Sequence, residues 1–400
     1  MKKQKNRWLI LMAAIVINLS LGAGYAWSVF QSALLDVNPD WALSDTSLAF
    51  SISFAMVPVG MIICGPIVDK HGGKKIVFAS GILFGVGMFA TGFVNSIPML
   101  YLTYGLILGL GIGAGYGTVT ALTMKWFPDK KGLAGGLTAA GFGSGAIILA
   151  PIAKSMIDSI GVNDTFKILG GILFVVICSA SFIMENPPAK PQVAGVVSEK
   201  DSTYKEMLRD TDFWILWGVY TFAATSGMMI IGHAANLAEY YSLGAGAIIV
   251  MVVGLANTIG RIFWGSVSDR IGRYKTVATM FVVSGTGLIM LNLTETLGVV
   301  AGVLGLIFIA LSFGGFLGSF PGITAENWGA SKAAANYGWM FTAYGIAALL
   351  GPSLASTIRE STGSYSMALS ISTVMAIMGI ALIMLYMKRA NKYVAVSESI

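Results

Sequence analysis

Apolar segments of roughly 20 residues follow one another along almost the entire chain. A helix of that length crosses the hydrocarbon core of a bilayer, where backbone hydrogen bonds must be satisfied within the protein. The mean hydropathy of +0.77 and a charged-residue content of only 11% exclude an ordinary soluble domain. We therefore predict an all-α integral membrane protein with twelve transmembrane helices, at about 8–32, 43–67, 75–95, 98–124, 132–156, 165–184, 212–236, 243–268, 274–294, 297–325, 333–357 and 364–387.

Lys and Arg residues are concentrated on one side of these segments. If the amino terminus is cytoplasmic, all of the 25 Lys and Arg residues fall on the cytoplasmic side except Lys154, Lys167, Arg359 and Arg261. Because Lys and Arg near span ends favour the cytoplasmic side, both termini are predicted to be cytoplasmic. The net charge of +6 then reflects membrane topology and gives no reason to expect a nucleic-acid partner.

Groups suited to catalysis or metal binding are scarce. The chain has two His and two Cys, which form no metal-ligand pattern, and no carboxylate pair lies deep in a predicted span. Cys64 and Cys178 fall in predicted spans, where small apolar packing is expected. The glycine run at 109–115 lacks the preceding strand that a dinucleotide site requires, so it indicates close helix packing. We expect neither an enzyme nor a bound cofactor or metal.

Arg261 interrupts the apolar run 247–264, which otherwise has the pattern of an unbroken membrane-spanning helix. A guanidinium at the centre of a bilayer costs at least about 2.5–3.5 kcal/mol. We therefore expect Arg261 to face an internal cavity and to meet an anion there, which makes an anion transporter the first hypothesis. A purely structural Arg261, paired with helix carbonyls, is the alternative.

A charged loop occurs twice, 200 positions apart, and indicates an internal duplication. The segment 65–75 closes the second predicted span, and 265–275 closes the eighth. The matching positions are Gly65 with Gly265, Asp69 with Asp269, Lys70 with Arg270, and Gly72 with Gly272. A stretch containing Pro, Lys and Glu separates the halves. We predict an amino-terminal six-helix bundle at 1–184, a cytoplasmic linker at 185–209 and a carboxy-terminal six-helix bundle at 210–400.

The repeated loop, the twelve spans, the duplicated halves and the short central linker resemble the major facilitator superfamily over the whole chain. The glycines of the loop allow a tight turn and close helix approach. The Asp can cap a neighbouring helix, while the basic residues hold the loop at the cytoplasmic surface. We expect these loop residues to gate conformational exchange without touching the substrate.

Three further segments resemble the oxalate:formate antiporter and monocarboxylate porter branch of that superfamily. They are 126–136 before the fifth span, 24–27 (Gly-Tyr-Ala-Trp) in the first, and 336–338 (Asn-Tyr-Gly) with 342–343 in the eleventh. Arg261 occupies the eighth-span arginine position of the branch, and the resemblance implies carriage of small carboxylate anions. The central loop is far shorter than in animal monocarboxylate porters, which favours the plasma (inner) membrane of a prokaryote.

One position departs from the branch. Where, in our alignment, the oxalate exchangers have a lysine in the eleventh span, this chain has Tyr344, so one cation remains. A dianion such as oxalate would leave one carboxylate unpaired in a low-dielectric cavity, at a cost of several kcal/mol. We therefore expect a monocarboxylate of lactate, pyruvate or formate size. Lys154, near the outer end of the fifth span, is the remaining candidate for a second cation.

Depth along the spans predicts which side chains meet near the middle of the membrane. At about 1.5 Å per helical residue, four residues lie about 12–18 Å from the cytoplasmic span ends; they are Tyr116, Arg261, Phe316 and Tyr344. Tyr25, Tyr116 and Tyr344 can close a pocket while offering hydroxyl donors, although simple helix packing is the alternative for each.

Asn257 precedes Arg261 by four residues and shares its helix face. The planar guanidinium of an arginine can hold a carboxylate by two parallel hydrogen bonds. Asn257 is expected to orient the guanidinium or to contact the substrate, with an interhelical hydrogen bond as the alternative.

Phe316 and Phe320 lie four residues apart on the tenth span and resemble the aromatic pair of the family in that helix. They would form an apolar wall suited to a methyl group, with core packing as the alternative. His233, the only histidine in a predicted span, is a candidate for proton coupling because imidazole titrates near neutral pH. A satisfied structural histidine, with plain anion exchange, is the alternative.

These expectations combine into a secondary active transporter of a small monocarboxylate. It would act as a monomer in the lipid bilayer, by proton-coupled symport or by anion exchange, with the two bundles rocking about a midplane site. An oxalate/formate-type dicarboxylate exchanger of the same fold is one alternative. A carrier-like sensor that binds a carboxylate without transporting it is another.

Overall fold

The computed structural model describes residues 6–127, 131–186, 202–329 and 333–397, and within these ranges it contains helices and no strands. The predicted all-α fold with twelve membrane spans is confirmed, with span ends that differ by a few residues. The spans are α1 (Arg7–Val37), α2 (Leu43–Val68), α3 (Lys74–Thr91), α4 (Ile97–Trp126), α5 (Ala134–Ile160), α6 (Val162–Ser181), α7 (Thr211–Tyr240), α8 (Gly246–Ser268), α9 (Arg273–Asn292), α10 (Val299–Trp328), α11 (Ala335–Thr362) and α12 (Ser366–Ala390).

Glycines with a positive φ end the helices of α2 and α8. These helices continue past their apolar spans to His71 and Ile271, and the next residues are Gly72 with φ +83° and Gly272 with φ +87°. A side chain is strained in this left-handed region, whereas glycine adopts it readily. The tight turn expected of the repeated loop is therefore present at both copies, with almost the same backbone angle.

Three spans contain irregular turns that the hydropathy pattern does not reveal. A 3-10 turn at Gly22–Ala26 interrupts α1, and a π-helical segment at Tyr101–Leu108 forms part of α4. The helix of α11 is interrupted at Phe341. At the first of these turns a Cβ atom on Gly22 would lie 2.1 Å from the backbone oxygen of Phe142. The backbones of α1 and α5 thus meet at a point that only glycine permits.

The contacts between helices repeat after every six spans. In the first six, α2 packs on α4 and α3 packs on α6; in the last six, α8 packs on α10 and α9 packs on α12. The first six helices meet the last six mainly where α2 packs against α11 and α5 packs against α8. Helix α2 corresponds to α8 and α5 corresponds to α11 in the duplicated halves. The two interfaces are therefore equivalent, as an internal duplication requires.

The outward faces of the spans carry large apolar side chains, such as Val175 on α6 and Ile377 on α12, which are 58% and 60% exposed. Such a surface suits the hydrocarbon core of a bilayer. The side chains are apolar, and each helix satisfies its backbone hydrogen bonds internally. The twelve candidate spans make the protein a multi-pass membrane protein.

The predicted linker at 185–209 falls largely on residues 187–201, which lie outside the described ranges. Its described end makes a short helix at Tyr204–Met207 with a capping box between Thr203 and Glu206. Ser202 joins the described end of the linker to α10 and α11. Its N–H donates to the carbonyl of Trp328, and its own carbonyl accepts from Asn336.

Candidate functional site

Arg261 is buried on α8, with 4% of its surface exposed, and it is the only buried Lys, Arg, Asp or Glu among the residues whose side chains the structure describes. Its Nε donates to Oδ1 of Asn257 over 3.1 Å. Both terminal guanidinium nitrogens, and Nδ2 of Asn257, are buried without a hydrogen-bond partner among the described residues. A buried charge without a counter-ion is unfavourable by several kcal/mol. The arrangement therefore offers unused donors to an anion.

Glycines on both sides of α8 make room for this pair. A Cβ atom on Gly143 of α5 would lie 2.8 Å from Oγ1 of Thr258 and 3.1 Å from Oδ1 of Asn257. On the other side, a Cβ atom on Gly314 of α10 would lie 2.0 Å from the backbone oxygen of Asn257. Helix α8 is thus held close to both neighbours at the height of the buried arginine.

The guanidinium lines a cavity at the meeting point of the first six and last six helices. The cavity is lined by Tyr25, Val57, Tyr116, Phe142, Arg261, Leu317, Phe341 and Tyr344. Four of the predicted site residues, Arg261 and the three tyrosines, therefore come together. The hydroxyls of Tyr25 and Tyr344 lie 3.2 Å apart and join α1 to α11.

Aromatic rings fix the walls of this cavity. Phe142 makes edge contacts with Tyr25 and Tyr116, at centroid distances of 5.0 and 5.1 Å. Phe341 stacks on Tyr344 at 4.5 Å. The cavity has room for about one water molecule. The walls must therefore separate before a carboxylate can enter.

Hydrogen bonds close the protein between this cavity and one membrane face. We call the face where α1 begins the basic face and the face where α1 ends the opposite face. On the opposite side, Nδ2 of Asn236 donates to Gln31 over 2.7 Å and Ser32 donates to Oδ1 of Asn236 over 3.0 Å. The N–H of Ser44 donates to the Glu360 carboxylate over 2.7 Å. All of these bonds join the first six helices to the last six.

The described ion pairs lie at the protein surface, away from Arg261. They are Lys154 with Asp158, Lys167 with Asp164, Arg273 with Glu326, and Arg389 with Asp212. Lys154 is 53% exposed and paired with a carboxylate on its own helix, so in this conformation it supplies no second cation to the cavity.

The structure places Phe316 and Phe320 outside the cavity lining. Phe316 packs against Phe281 of α9 at a centroid distance of 4.9 Å, and Phe320 stacks on Tyr220 of α7 at 3.9 Å. Leu317, between them in sequence, lines the cavity instead. The apolar wall expected of the two phenylalanines is therefore absent from this conformation, in which both rings pack in the core of the last six helices.

His233 lies in the closed region toward the opposite face and does not line the cavity. Its Nε2 lies 3.0 Å from the carbonyl of Pro352 and 3.3 Å from Oγ of Ser47, and its Nδ1 lies 3.4 Å from the hydroxyl of Tyr365. A carbonyl only accepts, so Nε2 carries a hydrogen, and Nδ1 can accept from Tyr365. Both ring nitrogens of a neutral imidazole are satisfied, which favours the structural alternative.

The repeated loops lie at the basic face, at the ends of α2 and α8. The side chains of Asp69, Lys70 and Asp269 lie outside what the structure describes; Arg270 is exposed. A Cβ atom on Gly65 or Gly265 would meet no described atom within 4 Å. Neither glycine is required for close helix approach in this conformation, in contrast to the turn-forming Gly72 and Gly272.

Sequence reasoning missed the apolar part of the site, namely Val57, Phe142, Leu317 and Phe341, and the role of Gly143. Two signals could have found some of them. Phe341 precedes Tyr344 by three residues and shares its helix face. Phe142 and Gly143 belong to the run Gly141-Phe-Gly-Ser-Gly145, whose glycines indicate a close helix crossing.

Comparison with known proteins identifies the family of the chain. The family model described as Major Facilitator Superfamily matches residues 16–352 and 234–398. The chain is 31% identical to the uncharacterized MFS-type transporter YhjX of Escherichia coli (strain K12), over 86% of this chain and 87% of that protein. It is also 31% identical to the oxalate:formate antiporter of Oxalobacter formigenes, over 94% of this chain and 90% of that protein.

An animal relative extends the comparison. Human monocarboxylate transporter 12 is 26% identical over 76% of this chain and 66% of that protein. The resemblance to the oxalate:formate antiporter and monocarboxylate porter branch is confirmed, and the family is one of transporters, so the prediction that the chain is not an enzyme is confirmed as well. This chain belongs to the major facilitator superfamily and is a membrane transporter.

Proposed function

We propose that the protein is a secondary active transporter of a small monocarboxylate of lactate, pyruvate or formate size. One observation carries the proposal. Arg261 is buried beside an inter-bundle cavity, and its two terminal nitrogens have no partner within the described ranges. Two parallel N–H donors match the two oxygens of one carboxylate. A substrate anion would supply the counter-charge that the protein itself does not.

In the proposed binding step, Asn257 and the tyrosines have different roles. Asn257 accepts from Nε, which leaves the two terminal nitrogens of Arg261 for the substrate. In this closed conformation the hydroxyls of Tyr25 and Tyr344 are hydrogen-bonded to each other, with 3.2 Å between the two oxygens. When the walls separate, these hydroxyls and that of Tyr116 become donors to the substrate.

The proposed transport cycle is alternating access by two bundles, 1–184 and 210–400, joined by the linker 185–209. The bundles would rock about the α2–α11 and α5–α8 interfaces, which flank the cavity. The loops containing Gly65, Asp69, Lys70, Gly72, Gly265, Asp269, Arg270 and Gly272 would gate this exchange at the basic face. The monomer is the proposed functional unit, since it contains the whole cavity.

Monocarboxylates are favoured over dicarboxylates by the charge of the cavity. Tyr344 lines it where the exchangers we aligned have a lysine, and Arg261 is the only cation in the lining. The second candidate, an oxalate/formate-type exchanger, is supported by the 31% identity to the oxalate:formate antiporter. It requires a second cation that reaches the cavity in another conformation.

The proposed location is the plasma membrane of a prokaryote with both termini cytoplasmic. Exposed Lys and Arg side chains such as Lys75, Lys125 and Arg270 lie at the basic face, which suits the positive-inside preference. Coupling is proposed to be either proton symport or anion exchange; the satisfied hydrogen bonds of His233 count against that residue as the proton carrier.

The test is uptake of labelled lactate and labelled oxalate into liposomes that contain the purified protein, with and without an inward proton gradient. We expect saturable lactate uptake well above oxalate uptake. Stimulation by the gradient would assign symport, and stimulation by internal unlabelled lactate would assign exchange. Oxalate uptake equal to or above lactate uptake would favour the dicarboxylate exchanger, and binding of lactate without flux would favour the sensor.

A further inference from the structure

A second cavity adjoins the one at Arg261 and is apolar. It also has room for about one water molecule. Tyr25 lines both cavities, so the two adjoin at this residue. The lining residues are Tyr25, Ala146, Ile231, Ala234, Val250, Val253 and Gly254. Apart from the tyrosine hydroxyl, these side chains have no group that could bind a charge.

The direction of the Arg261 side chain relates the two cavities. A helical side chain leans toward the start of its helix, and the bond from Nε to Asn257 shows that the guanidinium of Arg261 does so. Val253 and Gly254 lie about one further turn along α8, at about 1.5 Å per residue. The apolar cavity therefore lies about one helical turn, roughly 5 Å, beyond the guanidinium, in the direction in which the guanidinium leans.

We propose that this apolar cavity binds the alkyl group of the substrate, so that the protein prefers monocarboxylates with a short alkyl tail. The inference rests on the proposed carboxylate role of Arg261. When the walls separate, the carboxylate would occupy the space beside Arg261, and the remaining carbons would enter the adjoining apolar space. Formate, which has no carbon beyond its carboxylate, would leave the second cavity unused.

Small side chains set the size of the proposed alkyl site. Ala146 and Ala234 are buried, and a Cβ atom on Gly254 would already lie 3.2 Å from Cγ1 of Ile147 and 3.4 Å from Cβ of Ala146. Val250 and Val253, each 2% exposed, also line the cavity and limit its size. We expect the site to accept one or two carbons once the walls separate and to exclude longer chains, because interiors at this density do not absorb extra methylene groups without strain.

The experiment compares the uptake efficiencies of different acids by the same protein. Their ratio does not change if a variant simply yields less active protein. Uptake efficiencies of formate, propionate and butyrate are measured in liposomes containing the wild type, Ala234→Val or Val253→Ala. Ala234→Val fills the site with two carbons, and we expect the propionate-to-formate ratio to fall at least about 10-fold. Val253→Ala enlarges it, and we expect the butyrate-to-propionate ratio to rise about 10-fold.

The matched control is Leu255→Ala on the same helix, at a side chain that is 48% exposed toward lipid, which should leave both ratios unchanged. Unchanged ratios in Ala234→Val and Val253→Ala, with formate and propionate both transported, would overturn the alkyl site and leave the proposed function standing. If Ala234→Val is inactive, the ratio in Val253→Ala decides. Wild-type protein that transports none of the acids would overturn the proposed function itself.

Discussion

Arg261 and Asn257 form a donor group in which one bond is made and three donor nitrogens remain unused. Nε of Arg261 donates to Oδ1 of Asn257, while the remaining guanidinium nitrogens and the asparagine Nδ2 have no partner within the described ranges. A hydrogen bond to a charged group contributes about 1.5–3 kcal/mol, whereas a buried donor left unpaired costs a similar amount. A substrate carboxylate thus gains from donors that the folded protein has already desolvated.

Replacing Asn257 by Asp gives Arg261 a permanent internal anion. The two side chains are nearly identical in shape, and the new carboxylate would lie about where Oδ1 lies now, 3.1 Å from Nε. We expect Asn257→Asp to lower lactate uptake at least about 10-fold, because the substrate must displace a charge-assisted bond. The thermal unfolding midpoint in detergent should stay equal or rise. Wild-type uptake in a properly folded Asn257→Asp protein would show that Arg261 does not bind the anion.

Gly143 is predicted to control the space around the same pair from the other side of the interface. An alanine there would place its Cβ atom 3.1 Å from Oδ1 of Asn257 and 2.8 Å from Oγ1 of Thr258. We expect Gly143→Ala to reduce uptake strongly. The control is Gly136→Ala on the same helix, where a Cβ atom meets no described atom within 4 Å; it should be neutral or stabilising by up to about 1 kcal/mol. Equal effects of the two substitutions would contradict the prediction.

At the scale of the helices, Gly72 and Gly272 end α2 and α8 with nearly the same positive φ. No described atom lies within 4 Å of a Cβ atom on Gly272, so Gly272→Ala would test backbone strain alone. At a φ of +87° we expect a loss of about 1–2 kcal/mol in stability. The matched control, Gly265→Ala, also faces open space but is helical, and it should not lower the thermal unfolding midpoint. A Gly272→Ala protein as stable as its control would contradict the assignment.

Span positions could be predicted from the sequence because hydropathy is a local property of each segment. The depth of Arg261, Tyr116 and Tyr344 could be predicted for the same reason, since residues per turn fix height along a helix. The direction of a side chain depends on the helices packed around it. For this reason the sequence did not show that Phe316 and Phe320 point into the core of the last six helices and not into the cavity. The 3-10 turn at Gly22–Ala26 depends likewise on the approach of α5, which no segment of α1 encodes by itself.

At the scale of the whole molecule, the structure is closed toward the opposite face by polar contacts between the first six and last six helices. Besides the bonds of Asn236 and Ser44, the hydroxyls of Ser51 and Ser353 lie 3.4 Å apart. Each hydrogen bond contributes a net of about 0.5–1.5 kcal/mol. Several of them together can hold this face closed, yet each can be exchanged for water when it opens.

Asn236→Ala removes two of these bonds, to Gln31 and Ser32, and should shift the protein toward opening on that face. We expect the ratio of open to closed molecules to rise about 5-fold or more. Spin labels at Val37 and Ser361, at the ends of α1 and α11 on this face, report the change as a larger share of long distances. Asn292→Ala removes a bond to Ser370 within the last six helices and should have no such effect. Indistinguishable distance distributions in the two variants would contradict this account of closure.

The role of Arg261 in binding the carboxylate is tested by the initial rate of labelled lactate uptake by liposomes containing equal amounts of wild type, Arg261→Lys or Arg261→Gln. We predict saturable uptake by the wild type and a fall of about 10–100-fold in Arg261→Lys, since lysine keeps the charge but loses the paired donors. Arg261→Gln should be no better than Arg261→Lys. Wild-type uptake in Arg261→Lys would mean that the guanidinium holds the helices together and binds no substrate.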